Sequence, residues 1–212
     1  MDLIVSFANP IGPFDLFWNK CAGKYCHVEI SVDIPRELLV SLLESVQDDC
    51  FDPERISRLL KRVIEAKDVE TLNICFFVLW GEAVDSRFLS KLAENAISRP
   101  PEAPTYENIV VPLELEELKN VVQYSLRQIG KPYDIPRALL LFSPLTLRTD
   151  DSPDKFFCSQ LVMHTFKQLD SYAEDMKSLE DINHMKPDDV YNWLSEVMDK
   201  RIKDKNTENK EE

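Results

Sequence analysis

The chain has 212 residues, of which 44% are hydrophobic and 30% charged, enough apolar material for a packed core and too much for a disordered chain. Twenty-five basic residues against 38 acidic ones give a formal net charge of −13, a field that repels nucleic-acid phosphates and anionic lipid surfaces, so no nucleic-acid partner is expected. The longest apolar run, 74–80, is far short of a membrane span, and Met1-Asp2-Leu3 opens without the basic-then-apolar pattern of a secretory leader.

The first clear element is 24–33, where Cys26, Val28, Ile30 and Val32 alternate with His27, Glu29, Ser31 and Asp33. That period of two predicts a strand with one polar face, ended by Pro35. Residues 36–68 predict a helical hairpin inserted between two strands. Leu38, Leu39, Leu42, Leu43 and Val46 form one apolar stripe, and Asp52-Pro53 opens a second helix carrying Ile56, Leu59, Leu60, Val63 and Ile64.

The near-continuous apolar run 71–84 predicts a central strand covered on both faces. A short helix is expected over 86–98, and a third strand over 108–114 with Pro112 at an edge or bulge. A helix carrying Leu115, Leu118, Val121, Val122, Leu126 and Ile129 then stops at Gly130-Lys131-Pro132. A short helix over 136–142, a polar loop over 148–153, a helix opening at Cys158 and a last helix over 187–202 complete the reading. The charged segment 203–212 is expected to be disordered. The sum is one α+β domain over 1–202, an antiparallel meander of about three strands packed against helices.

Chemistry narrows quickly. Four scattered glycines exclude a phosphate-cradling loop, and no cofactor is expected. Five cysteines without a leader predict reduced thiols in a cytoplasm-like compartment. Of the three histidines, His164 falls off the face of Cys158 and reads as a surface or packing residue, while His184 has no evident partner. His27 stands on the polar face of its strand. A lone strand histidine is more often structural than catalytic, and a lone cysteine is more often a small apolar filler. Cys158, however, opens a helix, where the dipole favours the thiolate. A thiol at a helix start together with a strand histidine is the layout of a cysteine nucleophile and its base. A zinc site from Cys21, Cys26 and His27 is disfavoured, because Cys26 and His27 face opposite ways on the strand, and no metal is expected. Action at a lipid surface has no basic amphipathic helix to support it.

Four segments carry a resemblance in their order: Cys26-His27-Val28-Glu29-Ile30, Trp80-Gly81-Glu82-Ala83-Val84, Gly130-Lys131-Pro132-Tyr133-Asp134 and Cys158-Ser159-Gln160-Leu161-Val162, followed by the proline-led Met185-Lys186-Pro187-Asp188-Asp189-Val190. Over about residues 24–192 the chain resembles the permuted branch of the papain-like NlpC superfamily, the YiiX-like proteins. Those occur in bacteria, eukaryotes and large DNA viruses. The helices of 36–68 stand where that family usually has a tight hairpin, and the acidic, glycine-poor chain looks more viral or eukaryotic than bacterial, which would put it in a host cytoplasm or a virion. The resemblance implies a permuted papain-like fold and a cysteine peptidase, amidase or acyltransferase with Cys158 as nucleophile and His27 as general base and acid. Three side chains compete for the third position: Glu82 from the motif, Asn73 as the uncharged polar residue of the apolar strand, and Glu29 two residues beyond His27. Tyr133 would line the cleft. The substrate would be a peptide, isopeptide, peptidoglycan-like or acyl-lipid amide or ester. The competing reading is an inactive relative used as a binding or virion-structural module.

Overall fold

The structure, a computed structural model, describes residues 1–9, 23–79, 81–89, 105–140, 154–179 and 181–208. Its class is α+β, with a five-stranded antiparallel sheet and seven α-helices among the described residues. The strands are β1 (Asp2–Ala8), β2 (His27–Pro35), β3 (Thr71–Phe77), β4 (Asp85–Leu89) and β5 (Tyr106–Pro112), in spatial order β4-β3-β2-β1-β5. The helices are α1 (Arg36–Val46), α2 (Pro53–Glu65), α3 (Leu115–Gln128), α4 (Ile135–Leu140), α5 (Cys158–Phe166), α6 (Ala173–Lys177) and α7 (Pro187–Glu208).

On the three central strands one sheet face is apolar. Cross-strand rows such as Phe7↔Val28, Val5↔Ile30↔Phe76 and Leu3↔Val32↔Ile74 put these side chains on one side, and all of them are at most 1% exposed. Leu39 and Leu43 of α1, Ile56 and Val63 of α2, Leu118 and Val122 of α3, and Leu161 and Phe166 of α5 belong to the same core cluster. Each buried side chain of this size contributes roughly 1.5–3 kcal/mol, which is what fixes α5 against β2.

The helical hairpin of 36–68 forms as expected, as α1 and α2, with the Asp52 carboxylate accepting the Arg55 N–H at 3.0 Å ahead of Pro53. Three expectations fail, and one strand has no counterpart among them. The apolar run 71–84 is not one central strand: β3 ends at Phe77, the chain turns at Gly81 (φ +77°), and β2 takes the centre of the sheet. The exposed turn glycine Gly81 divides the run. Residues 86–89 are not helical but belong to β4, because the open edge of β3 offers ladder partners that outweigh local propensity. Residues 90–98 lie outside the described residues, as do Cys21, residues 141–142 and the loop 148–153. β1 was not foreseen, although Leu3, Val5 and Phe7 alternate; seven residues is a short signal. Finally, α7 continues through 203–208, where disorder was expected, because its ladder of backbone hydrogen bonds propagates from a packed base at Val190, Leu194 and Val197. The strand expected over 108–114 forms two residues earlier as β5, the fifth strand and not the third, and Pro112 closes it at the sheet edge as expected. No helix among the described residues is long and apolar enough to cross a membrane.

Candidate active site

His27 is the first residue of β2, and strand alternation puts Glu29 and Ser31 on its side of the sheet, opposite the apolar face. This second face is not solvated at its centre: Glu29 and Ser31 are each 7% exposed and Cys75 is fully buried. Cys158 opens α5. Because α5 packs against β2, its first turn arrives beside His27, and the thiol and the imidazole share a hydrogen bond.

Backbone pairing brings these two elements into register. Gly130, at the end of α3, adopts φ +94°, and a Cβ there would stand 2.6 Å from the Cβ of Asp52, so the position admits only glycine. The Gly130 N–H donates to the Val84 carbonyl and the Val84 N–H to the Lys131 carbonyl, both at 2.8 Å. The strand-like run continues as the Phe156 N–H donates to Pro132 at 3.1 Å and the Asp134 N–H to Phe156 at 2.9 Å. Phe156 is thereby held two residues ahead of Cys158. The proline-led segment braces the other side. The Ser159 hydroxyl donates to the Met185 carbonyl at 2.6 Å. Asp188, in the first turn of α7, accepts the backbone N–H groups of Lys24 at 2.6 Å and Tyr25 at 2.7 Å, just ahead of His27.

The electrostatics follow from these contacts. Burial works against a charged His27, but the hydrogen bond to Cys158 and the carboxylate of Glu29 outweigh it and push the imidazole up to about 9. Burial also disfavours a thiolate, yet His27, with the backbone N–H groups of Val28 and Ser159, holds Cys158 below the ordinary thiol value. The two shifts run in opposite directions, as expected where the thiol and the imidazole compete for one proton and the pair favours it on the imidazole. Burial, and then the negative charge of Cys158 and Asp134, raise the Tyr133 phenol well above its usual value, which places Tyr133 beside the sulfur as a neutral group.

The carboxylate on His27 is Glu29, whose Oε2 lies 3.6 Å from His27 Nε2, a charge contact rather than a short hydrogen bond. Glu82 stands elsewhere. Its N–H donates to the Leu79 carbonyl at 2.9 Å in the turn after β3, and that turn carries the side chain into solvent. What residues 83–84 contribute is backbone, through Val84 and the Ala83↔Pro132 bridge. Asn73 pairs its side-chain amide with Asp33 at 3.0 Å, near the far end of β2 from His27. His164 packs edge-on against Phe156 and lies 3.0 Å from Asn183 Oδ1. His184 does have a partner, with its Nδ1 2.6 Å from Asp181 Oδ2.

Residues that the sequence reading passed over surround the buried Glu29, themselves partly exposed except for Cys75. Arg87 of β4 places Nη2 2.6 Å from Glu29 Oε1, and Cys75 and Tyr106 stand beside the same pair. An acid on a buried strand face needs a counter-charge, and that requirement was the available signal for Arg87. No protein-family model, curated protein or solved structure matches this chain.

Proposed function

We propose that the protein is a thiol hydrolase or acyltransferase of permuted papain-like fold, using Cys158 as nucleophile and His27 as general base and acid. The observation that carries this reading is the hydrogen bond shared by two side chains 131 positions apart in sequence, with the thiol shifted down and the imidazole up. Glu29 takes the third role in place of Glu82, since it is the carboxylate against His27 Nε2.

The Cys158 thiolate attacks an amide or ester carbonyl, forming a C–S bond. The developing oxyanion meets the N–H of Cys158 at the first position of α5, one of the N–H groups that a helix start leaves without an intrahelical partner. Collapse breaks the bond to the leaving group, which departs with the proton of the His27 imidazolium. Neutral His27 then takes a proton from water, or from an acceptor alcohol or amine, as that nucleophile attacks the thioester, and the thiolate–imidazolium pair returns. Glu29 offsets the positive charge of the imidazolium throughout.

The test uses p-nitrophenyl acetate as the acyl donor. Wild type is expected to release a burst of one equivalent of nitrophenolate, with an acetyl adduct mapped to Cys158. His27→Ala should slow acylation by roughly 10²–10⁴-fold. An adduct on another cysteine, or equal rates in wild type and His27→Ala, overturns the proposal.

A further inference from the structure

We infer that Arg87 is a positioning residue of this site, anchoring the Glu29 carboxylate beneath His27 from the edge strand β4, across the intervening β3. The inference rests on the functional reading above and adds to it what keeps the third residue ionised and aimed.

Glu29 sits on the buried face of the central strand at 7% exposure, where an isolated carboxylate would take up a proton. Its two oxygens are divided between two cations: Oε1 lies 2.6 Å from Arg87 Nη2 and Oε2 3.6 Å from His27 Nε2. The register makes this arrangement. Ser31 pairs with Cys75 and Cys75 with Arg87, so Arg87 projects from β4 on the same face and reaches over Cys75 to Glu29. Tyr106 reaches the same guanidinium from β5 at the opposite edge, and Phe77 lies under it with 5.1 Å from the guanidinium carbon to the ring centroid. Two aromatic neighbours and a carboxylate hold the arginine in one pose, which a planar fork suits better than an ammonium.

The groups facing Glu29 are therefore His27 on its own strand, Cys75 on β3, Arg87 on β4 and Tyr106 on β5, with Cys158 one step further on. Arg87 and His27 are the two cations among them. Without Arg87, the low-dielectric face favours a neutral Glu29, the imidazolium loses its carboxylate, and the proton returns to the thiol. Arg87 touches neither sulfur nor substrate in this arrangement. Its influence passes through Glu29.

The experiment measures iodoacetamide alkylation at Cys158, read peptide by peptide, between pH 5 and 10 in wild type, Arg87→Met, Arg87→Lys, Glu29→Gln and Arg87→Met/Glu29→Gln. Arg87→Met is expected to lower the rate at pH 6 by about tenfold, corresponding to one pKa unit, while the rate above pH 9.5, where the free thiolate forms regardless, stays near wild type. Arg87→Lys, which keeps the charge and loses the fork, is expected to fall between wild type and Arg87→Met. It also supplies the readout should Arg87→Met fail to fold. In the Glu29→Gln background, Arg87→Met is expected to add less than about twofold, since its route is already cut. A wild-type profile in both Arg87 variants, or a full tenfold loss on top of Glu29→Gln, overturns the inference while leaving the Cys158–His27 reading intact. A wild type whose Cys158 reacts only as an ordinary thiol overturns both.

Discussion

Replacing Asp188 with alanine tests how the segment ahead of β2 is held. The carboxylate accepts two backbone N–H groups, from Lys24 at 2.6 Å and Tyr25 at 2.7 Å, and it stands in the first turn of α7. Hydrogen bonds to a charged group are worth about 1.5–3 kcal/mol each, and a carboxylate at a helix start adds about 0.3–1 kcal/mol. The Lys24 N–H is exposed and can be rehydrated while the Tyr25 N–H is part-buried, so the lower end of each range gives a minimum sum of about 3 kcal/mol. For a chain of this size that corresponds to a fall in Tm of about 6–12 °C. Asp188→Asn keeps one carbonyl acceptor and should lose about half as much. Thermal and urea unfolding of the three proteins measure the loss, and p-nitrophenyl acetate acylation measures its reach into the site, because Tyr25 leads directly into His27. A loss below about 1 kcal/mol in Asp188→Ala refutes the anchoring role. A full loss of stability with unchanged acylation by the folded fraction refutes the coupling to His27.

Two further outcomes follow from the same geometry. Glu82→Ala should leave stability within about 0.5 kcal/mol and the acylation rate unchanged, since its side chain is exposed, whereas Glu29→Gln should slow acylation; the two variants assayed side by side decide which carboxylate serves His27. The pH dependence of stability tests whether one proton is shared. A raised His27 contributes stability that is present below its ordinary 6.5 and is lost as pH rises through about 9. A lowered Cys158 contributes stability that is present above its ordinary 9.0 and is lost as pH falls toward its folded value. Between 6.5 and 9 the two slopes have opposite signs, and they cancel where the proton held by His27 is the one that Cys158 has released. The difference in unfolding free energy between wild type and His27→Ala is therefore expected to be level across that window. A steady fall from pH 6.5 to 9 would mean that His27 gains its proton without Cys158 releasing one.

Much of this arrangement was legible in local pattern. The alternation of 26–33 predicts β2, and the Asp52-Pro53 and Gly130-Lys131-Pro132 signals place α2 and the end of α3, because caps and turn glycines act within a few residues. Placing Cys158 at the head of a helix also follows from local sequence. What escaped depended on contacts distant in the chain. β4 forms because β3 has an open edge, so Arg87 was assigned to a helix and its place over Glu29 could not be read. Glu29 ranked behind Glu82 because a motif records sequence neighbours, while the direction of a turn side chain depends on Gly81 and on the backbone pairing of Val84. Residues 203–208 look too polar to fold alone, yet they prolong a helix whose base is packed.

Whether Cys158 and His27 form a thiolate–imidazolium pair is decided by the pH profile of Cys158 alkylation. Wild type is expected to alkylate Cys158 ahead of the other four thiols, with a midpoint below the ordinary 9.0, and His27→Ala is expected to move that midpoint upward, since burial is the largest influence on this thiol. A midpoint at or above 9 in wild type, or the same midpoint in both proteins, would contradict such a pair.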